Sequence, residues 1–212
     1  MGQEQQNLFQ ELQRANQELL RAYDETIEGW VRALALRDRN TEGHSLRLVE
    51  LSLKVARELG LGGEDLVHLR RGALLHDIGK LAVADAILFK PGALTPTERK
   101  YLELHTQFGY EFLAPISFLK PAAEIAYCHH ENWDGSGYPR GLKGENIPLL
   151  ARIVSVCNVF DVLASDQPYR AAWDNKNALR YIEEKAGKQF DPKIVEVFLG
   201  LFSHENQLPH RG

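Results

Sequence analysis

No apolar run in this 212-residue chain approaches the roughly 18–20 residues that a membrane span requires. Cysteine is scarce. Only Cys128 and Cys157 are present, too few for a disulfide scaffold, so a reducing, cytoplasmic setting is the expectation. The start, Met1-Gly2-Gln3-Glu4-Gln5-Gln6, is polar and shows no secretory-signal pattern. There is no excess of positive charge. With 25 basic and 29 acidic residues the formal net charge is −4, which exerts no global pull on nucleic acid or acidic lipid, and no large nucleic-acid partner is expected. No useful stretch alternates apolar and polar residues as a strand would, and no segment repeats. What is present is a 44% hydrophobic fraction, enough for one sizeable core, and eight histidines.

The chain reads as helix after helix. From Gln3 to Glu28 it is rich in Gln, Glu, Asn and Arg. There Leu8, Leu12, Ala15, Leu19, Ala22 and Thr26 recur at alternating spacings of four and three residues. That is a heptad seam, open to two readings: a self-pairing coiled coil, or a long amphipathic helix packed on its own domain. Residues 1–28 are therefore set apart as a connector helix, 29–203 as the main domain and 204–212 as a flexible tail. Trp30, Leu34 and Leu36 belong to the first core helix, ending near Arg39-Asn40. A second runs from about Glu42 to Leu59 and buries Leu48, Val49, Leu51, Val55 and Leu59, stopped by Gly60, Gly62 and Gly63. A third runs from Glu64 to His76-Asp77. Thr95-Pro96-Thr97-Glu98 is a capping box with proline at the first helical position, opening a helix that carries His105. Glu124 to His130 is helical, and Asn132-Trp133-Asp134-Gly135-Ser136-Gly137-Tyr138-Pro139 is a loop. Pro148 starts an apolar helix to about Ser165, and helices from Asn175 and Asp191-Pro192 follow. The fold class is all-α.

The histidines are not scattered. His44, His76, His105 and the pair His129-His130 fall on separate helices or helix ends. His76 is followed by Asp77 and His130 by Glu131, and the Pro148 helix offers Asn158 and Asp161. Neutral imidazole and carboxylate are ligands for zinc, iron and manganese, and a bundle that points them inward builds a metal site in its core. A single histidine on an apolar helix is more often a hydrogen-bonded core residue. Here, polar groups flank the apolar runs Ala73-Leu74-Leu75 and Ile125-Ala126-Tyr127. Burying them without partners is costly, and a metal answers that cost. His68, His204 and His210 lack such neighbours and read as bystanders.

His76-Asp77-Ile78-Gly79-Lys80, followed by His129-His130-Glu131-Asn132-Trp133-Asp134-Gly135-Ser136-Gly137-Tyr138-Pro139, resembles the motif of HD-GYP domains, a branch of the HD metal-dependent phosphohydrolase superfamily. Thr41-Glu42-Gly43-His44-Ser45, Lys90-Pro91-Gly92 and Gly141-Leu142-Lys143-Gly144-Glu145 extend the resemblance from about Thr26 to Phe202. It implies an HD-type helical bundle that holds two, sometimes three, iron or manganese ions and hydrolyses cyclic di-GMP, through linear pGpG to GMP in some members. By the resemblance His44, His76 and Asp77 hold the first metal. Asp77 bridges to a second held by His105, His129 and His130. Asn40 stands where trinuclear members carry Glu, which argues for two ions. Two such cations make water more acidic and clamp phosphate oxygens during in-line attack. Lys80, one turn past Asp77, is placed to reach a phosphate oxygen. Arg170 resembles a residue contacting the second phosphate, and Tyr138 hydrogen-bonds the phosphate or flanks the base. Trp133 either stacks on guanine or packs the loop.

The chain departs from the family pattern at two positions. The family usually carries Asp at position 158 as the last ligand of the first metal. Asn158 brings an amide oxygen without formal charge. Asp161, one turn on, is the residue that could compensate. The family commonly has Arg or Lys at position 167, and Gln167 cannot make a charged forked contact to phosphate. Three readings follow: a cyclic di-GMP phosphodiesterase, a weakened module that binds a cyclic dinucleotide or a protein and signals, and another HD-type hydrolase of nucleotides. Such domains often follow sensor or receiver domains through a helix. Residues 1–28 resemble that connector, and a homodimer through this helix is the expectation.

Overall fold

The computed structural model describes residues 2–37, 42–166 and 171–205. Asn40, Gln167, Tyr169, Arg170 and His210 lie outside the described residues, so the roles expected for Asn40, Gln167 and Arg170 have no structural account. Ten α-helices follow one another among the described residues: α1 Gln3–Arg37, α2 Glu42–Glu58, α3 Glu64–Leu75, α4 Asp85–Leu88, α5 Pro96–Glu103, α6 His105–Leu113, α7 Lys120–Cys128, α8 Leu149–Ala164, α9 Asn175–Glu184 and α10 Pro192–Glu205. Short 3-10 turns cover Ile78–Ala82, Ser117–Leu119 and Gly144–Asn146. There is no strand among these residues, only an isolated bridge between Ala186 and Phe190. The all-α reading holds. No helix among them is long and apolar enough to cross a membrane.

The core lies where α2, α3, α7 and α8 pack on one another. Leu48 and Val55 from α2, Leu69, Ala73 and Leu75 from α3, Ile125 and Ala126 from α7, and Ile153, Val154 and Val156 from α8 are all buried there. Each large aliphatic side chain contributes about 1.5–3 kcal/mol on burial. Truncating one such as Leu48 to Ala costs about 2–5 kcal/mol, because the cavity adds to the lost transfer energy. Leu51 and Leu59 sit at the edge of this core, half-buried. Leu36 is a correction: it is 92% exposed, while Ile27, Val31 and Leu34 form the buried stripe of α1.

Helix α1 is continuous for 35 residues, with no break between Glu28 and Gly29. Its first part, residues 2–22, is exposed throughout. Docking begins at Tyr23, whose ring stacks on Phe118 at 4.4 Å between centroids. Asp24 accepts from buried Arg71 at 3.2 Å, Glu28 pairs with Arg70 at 3.1 Å, and Trp30 meets Phe112 edge-on. The C-terminal Arg37 donates to the carbonyls of Leu81 and Val83 and to Asp85. Those contacts hold α1 against the turn that follows Asp77.

Helix starts follow their sequence signals. Thr95 accepts from Glu98 N, and Glu98 accepts from Thr95 N at 2.7 Å, completing the capping box of α5. Asp174 caps α9 through Asn177 N. Close approach rather than turn geometry demands glycine at two places. A Cβ on Gly79 would stand 1.9 Å from the His105 carbonyl, and one on Gly137 would stand 2.2 Å from Asn132 N. The first lets the turn carrying Asp77 and Lys80 lie against α6. The second lets the loop fold back on His130.

Candidate metal centre

The core helices end at one place, and their ends carry the histidines. His76 caps α3, His105 begins α6 just past the end of α5, and His129 caps α7. The last carbonyls of a helix have no partner within it. Here imidazoles supply one: Nδ1 of His76 donates to Ala73 O (2.8 Å), His105 to Leu102 O (2.8 Å) and His129 to Ala126 O (2.9 Å). A carbonyl only accepts, so Nδ1 carries the proton in all three rings and Nε2 presents a lone pair.

Those lone pairs converge on Asp77. Nε2 of His76 lies 3.2 Å from Asp77 Oδ2, and Nε2 of His105 and His129 lie 3.4 and 3.9 Å from Oδ1. None of the three has a hydrogen-bond partner, although all are buried. Acceptor facing acceptor in a dry interior is unfavourable unless a cation stands between them. The donor set thus fits a divalent metal. One ligand atom each from Asp77, His105, His129 and His130 falls within 4.8 Å of the others. Burial lowers the pKa of His105 and drives that of His129 well below the usual imidazole range. Burial first, then the neighbouring His105, takes His130 down to about 3, so these rings are neutral ligands at neutral pH. Burial opposes ionisation of Asp77. Positive charge nearby, the Lys80 ammonium at 2.8 Å in particular, outweighs it and holds the carboxyl well below the usual carboxylate range.

Next to this group the rings continue. His76 lies 5.1 Å from His129 and 5.9 Å from His44 between centroids. His44, in the first turn of α2, directs Nδ1 at Asp161 Oδ2 (2.6 Å), and its buried Nε2 has no partner. Asn158 Oδ1, on α8, is likewise buried without a partner. Asp161 is not a compensating ligand. One of its oxygens meets His44, and Arg47 grips both oxygens, with Nε–Oδ1 at 2.6 Å. Its carboxyl is held below the usual range by His44 and Arg47 against the effect of burial. It stands behind His44 and fixes that ring's tautomer and orientation. Sequence reading missed this role and that of Arg47. The only sequence signal was the spacing of three between His44 and Arg47, which puts them on one helix face.

A cavity of ≈ 360 Å³ opens beside the cluster, lined by Asp77, Lys80, His105, His130, Tyr138 and Asn158, with α5 forming its far wall. Lys80 Nζ lies 2.8 Å from Asp77 Oδ2. The Tyr138 ring stacks on His130 at 4.8 Å, and burial raises its phenol pKa, so the hydroxyl stays protonated. Tyr138 is followed by a cis bond to Pro139. Its N–H donates to His130 O, and buried Glu131 accepts the N–H groups of Arg140 (2.7 Å) and Leu142 (3.0 Å), pinning both ends of the loop. Glu131, named from the sequence only as the acidic neighbour of His130, is thus a positioning residue for the loop. Trp133 does not line this cavity. Its backbone bonds Gln189 and Gly144, and Arg152 lies over its ring at 5.7 Å. Of its two readings, loop packing is the one the geometry shows. His68 lies away from the cluster, on α3.

Comparison with known proteins agrees with this geometry. A family model described as "HD domain" matches residues 28–194. The chain is 44% identical over 177 residues to a Xanthomonas campestris protein named cyclic di-GMP phosphodiesterase response regulator RpfG, covering 82% of this chain and 47% of that one. It is 43% identical to a Thermotoga maritima cyclic di-GMP phosphodiesterase (78% and 45% covered) and 41% identical to a Vibrio cholerae 3'3'-cGAMP-specific phosphodiesterase (80% and 38%). A solved cyclic GMP-AMP-specific phosphodiesterase of V. cholerae superposes with a TM-score of 0.60 at 25% identity, covering 77% of this chain and 44% of that one. An HD-GYP-type protein from Bdellovibrio bacteriovorus, 21% identical, shares the fold with a TM-score of 0.62 over 76% of this chain and 51% of that one. The chain spans less than half the length of the curated relatives it matches.

Proposed function

Since the chain belongs to the HD-domain family, in its HD-GYP branch, we propose that it is a metal-dependent phosphodiesterase acting on a cyclic dinucleotide, cyclic di-GMP first, and yielding linear pGpG, GMP or both. One observation carries the reading. The partnerless Nε2 atoms gathered on Asp77 border a cavity that also holds a lysine and a protonated phenol.

Each residue has a task in this reading. His105, His129, His130 and Asp77 hold one divalent ion. His44, His76 and Asn158 hold a second, with Asp77 shared between them. Iron or manganese suits this mix of imidazole and carboxylate. When bound, the two ions make a water nucleophilic at neutral pH and stabilise charge on the phosphate. The Lys80 ammonium attracts a non-bridging phosphate oxygen, and the Tyr138 hydroxyl donates to the same group. Arg170, and Gln167 without charge, are assigned to the second phosphate. Asp161 and Arg47 keep His44 oriented, and Glu131 keeps the loop of Tyr138 in place. Incubating the manganese- or iron-loaded chain with cyclic di-GMP and following products by chromatography tests the proposal. Linear product supports it, and intact substrate after hours overturns it.

Asn158 favours a second reading. It presents a neutral amide oxygen where the other half of the centre has a third imidazole. Beside the shared Asp77, an amide oxygen is a weaker donor to iron or manganese than a third imidazole, so the molecule would fill its His105–His129–His130 half first. It would then turn over slowly or act as a binding and signalling module. Calorimetry showing tight cyclic dinucleotide binding without hydrolysis selects this reading.

The exposed leucines of α1 support self-association. Leu8, Leu12 and Leu19 are 67%, 66% and 48% exposed along the heptad seam, on the part of α1 that does not dock. We assign them to pairing with a second copy of this chain, in the position of a connector from an upstream sensor or receiver domain, in the cytoplasm. A dimer by sedimentation that persists without residues 1–22 overturns the pairing.

A further inference from the structure

The ≈ 360 Å³ cavity has two unlike sides. One is the metal side, with Asp77 and Lys80. The other is built by Leu94, by Arg99, Leu102 and Glu103 on α5, and by Val162 on α8, and neither the metal cluster nor phosphate chemistry has a use for it. Arg99 and Glu103 are four apart on one helix face, so they could pair with each other. They do not. Neither side chain makes a hydrogen bond or ion pair among the described residues. Both lie near enough to Tyr138 for their charges to bear on its phenol, Glu103 more strongly than Arg99. Apolar side chains with one carboxylate and one guanidinium beside them suit a heterocycle with hydrogen-bonding edges.

We propose that this α5 wall reads the purine base of the substrate, with Glu103 selecting guanine over adenine and Arg99 reinforcing that choice. Guanine carries two adjacent donors on its pairing edge, N1–H and the N2 amino group, and a carboxylate accepts both. Adenine presents there an amino donor beside the N1 lone pair, and that lone pair repels a carboxylate. On the other edge, the O6 and N7 acceptors of guanine match a guanidinium fork. Adenine replaces O6 by an amino donor and loses half of that match. The assignment rests on the proposed cyclic dinucleotide reading, and it names the residues that would choose the base.

The test is calorimetric titration of the manganese-loaded full chain with phosphorothioate analogues of cyclic di-GMP, 3'3'-cGAMP and cyclic di-AMP, which resist hydrolysis. The wild type should bind in that order. Glu103→Gln presents one acceptor and one donor, the pattern that matches adenine. It should shift the ratio of cyclic di-GMP to cyclic di-AMP affinity towards adenine by about tenfold or more, since a bidentate pair discriminates by about that much. Arg99→Ala should weaken the two guanine-bearing analogues and leave cyclic di-AMP unchanged. A structural role would weaken all three ligands equally, so an unchanged ratio in Glu103→Gln overturns the assignment while leaving the phosphodiesterase reading intact. If the wild type binds none of the three, both fall.

Discussion

The two halves of the proposed centre share the Asp77 carboxylate and differ in one donor. Around Asp77, three imidazoles and a carboxylate converge within 4.8 Å, and the carboxylate is held ionised. The donors assigned beside it to the second half are two imidazoles and the amide oxygen of Asn158, each buried without a partner. The difference is also one of support. His76, His105 and His129 are oriented by main-chain carbonyls that helix ends leave available, so their geometry follows from the fold itself. His44 depends on a side-chain pair, Asp161 with Arg47 behind it. In the first half the backbone holds two of the three imidazoles, His105 and His129. In the second it holds His76, while His44 rests on residues that single substitutions can remove.

The largest effect expected removes what both halves share. Asp77→Ala should abolish metal retention and lower phosphodiesterase activity by about 10³-fold or more, since a bound metal supplies several kcal/mol of transition-state stabilisation. Elemental analysis and product chromatography check the two parts separately. Next, Asn158→Asp should erase the contrast. A unit negative charge a few ångström from a divalent ion is worth several kcal/mol even at an effective dielectric near 20. The weaker half should therefore bind manganese at least about tenfold more tightly, read by calorimetric titration, and hydrolysis should speed up with it. Asp161→Asn should deepen the contrast. Loss of the carboxylate behind His44 should weaken only that half, by about 10–100-fold, and leave the half of His105, His129 and His130 filled.

The smallest effect is a control on the cavity wall. Glu98 is held down to about 2, first by its hydrogen bond from Lys90 and then by Thr95 at the start of α5. A carboxyl whose folded pKa is depressed stabilises the fold above its unfolded value near 4.5. That contribution is lost as the pH falls from there through about 2. Glu98→Gln should lower the thermal midpoint slightly at pH 7, with the deficit gone by about pH 2, and leave metal content unchanged at neutral pH.

Much of this was legible in the sequence, because local signals agreed with the fold. The Thr95 box, Pro96 and the glycines after Leu59 mark helix ends that the structure shows close by. The histidines were legible as a group because His76 adjoins Asp77 and the others, too, fall at helix ends. What was not legible depended on long-range geometry. Asp161 lies 117 positions from His44, and nothing in a linear spacing says whether a carboxylate points at a metal or at the ring behind it. Trp133 could be given two roles from its loop, and only the placement of Arg152 over its ring separates them. Leu36 fits an apolar helix pattern yet faces solvent, because Val31 and Leu34 already fill the stripe that α1 buries. Along α1 no residue signals where docking starts. That point is set by what Tyr23 and Asp24 meet, Phe118 and Arg71, far along the chain.

How many metal ions the wild-type chain holds, and how tightly, decides whether its two halves differ. Titration of metal-stripped protein with manganese, with bound metal counted by elemental analysis, should show two classes of site per chain. A tight one would survive Asp161→Asn, and a weaker one would tighten in Asn158→Asp. Two equal sites, or sites indifferent to residue 158, would contradict it.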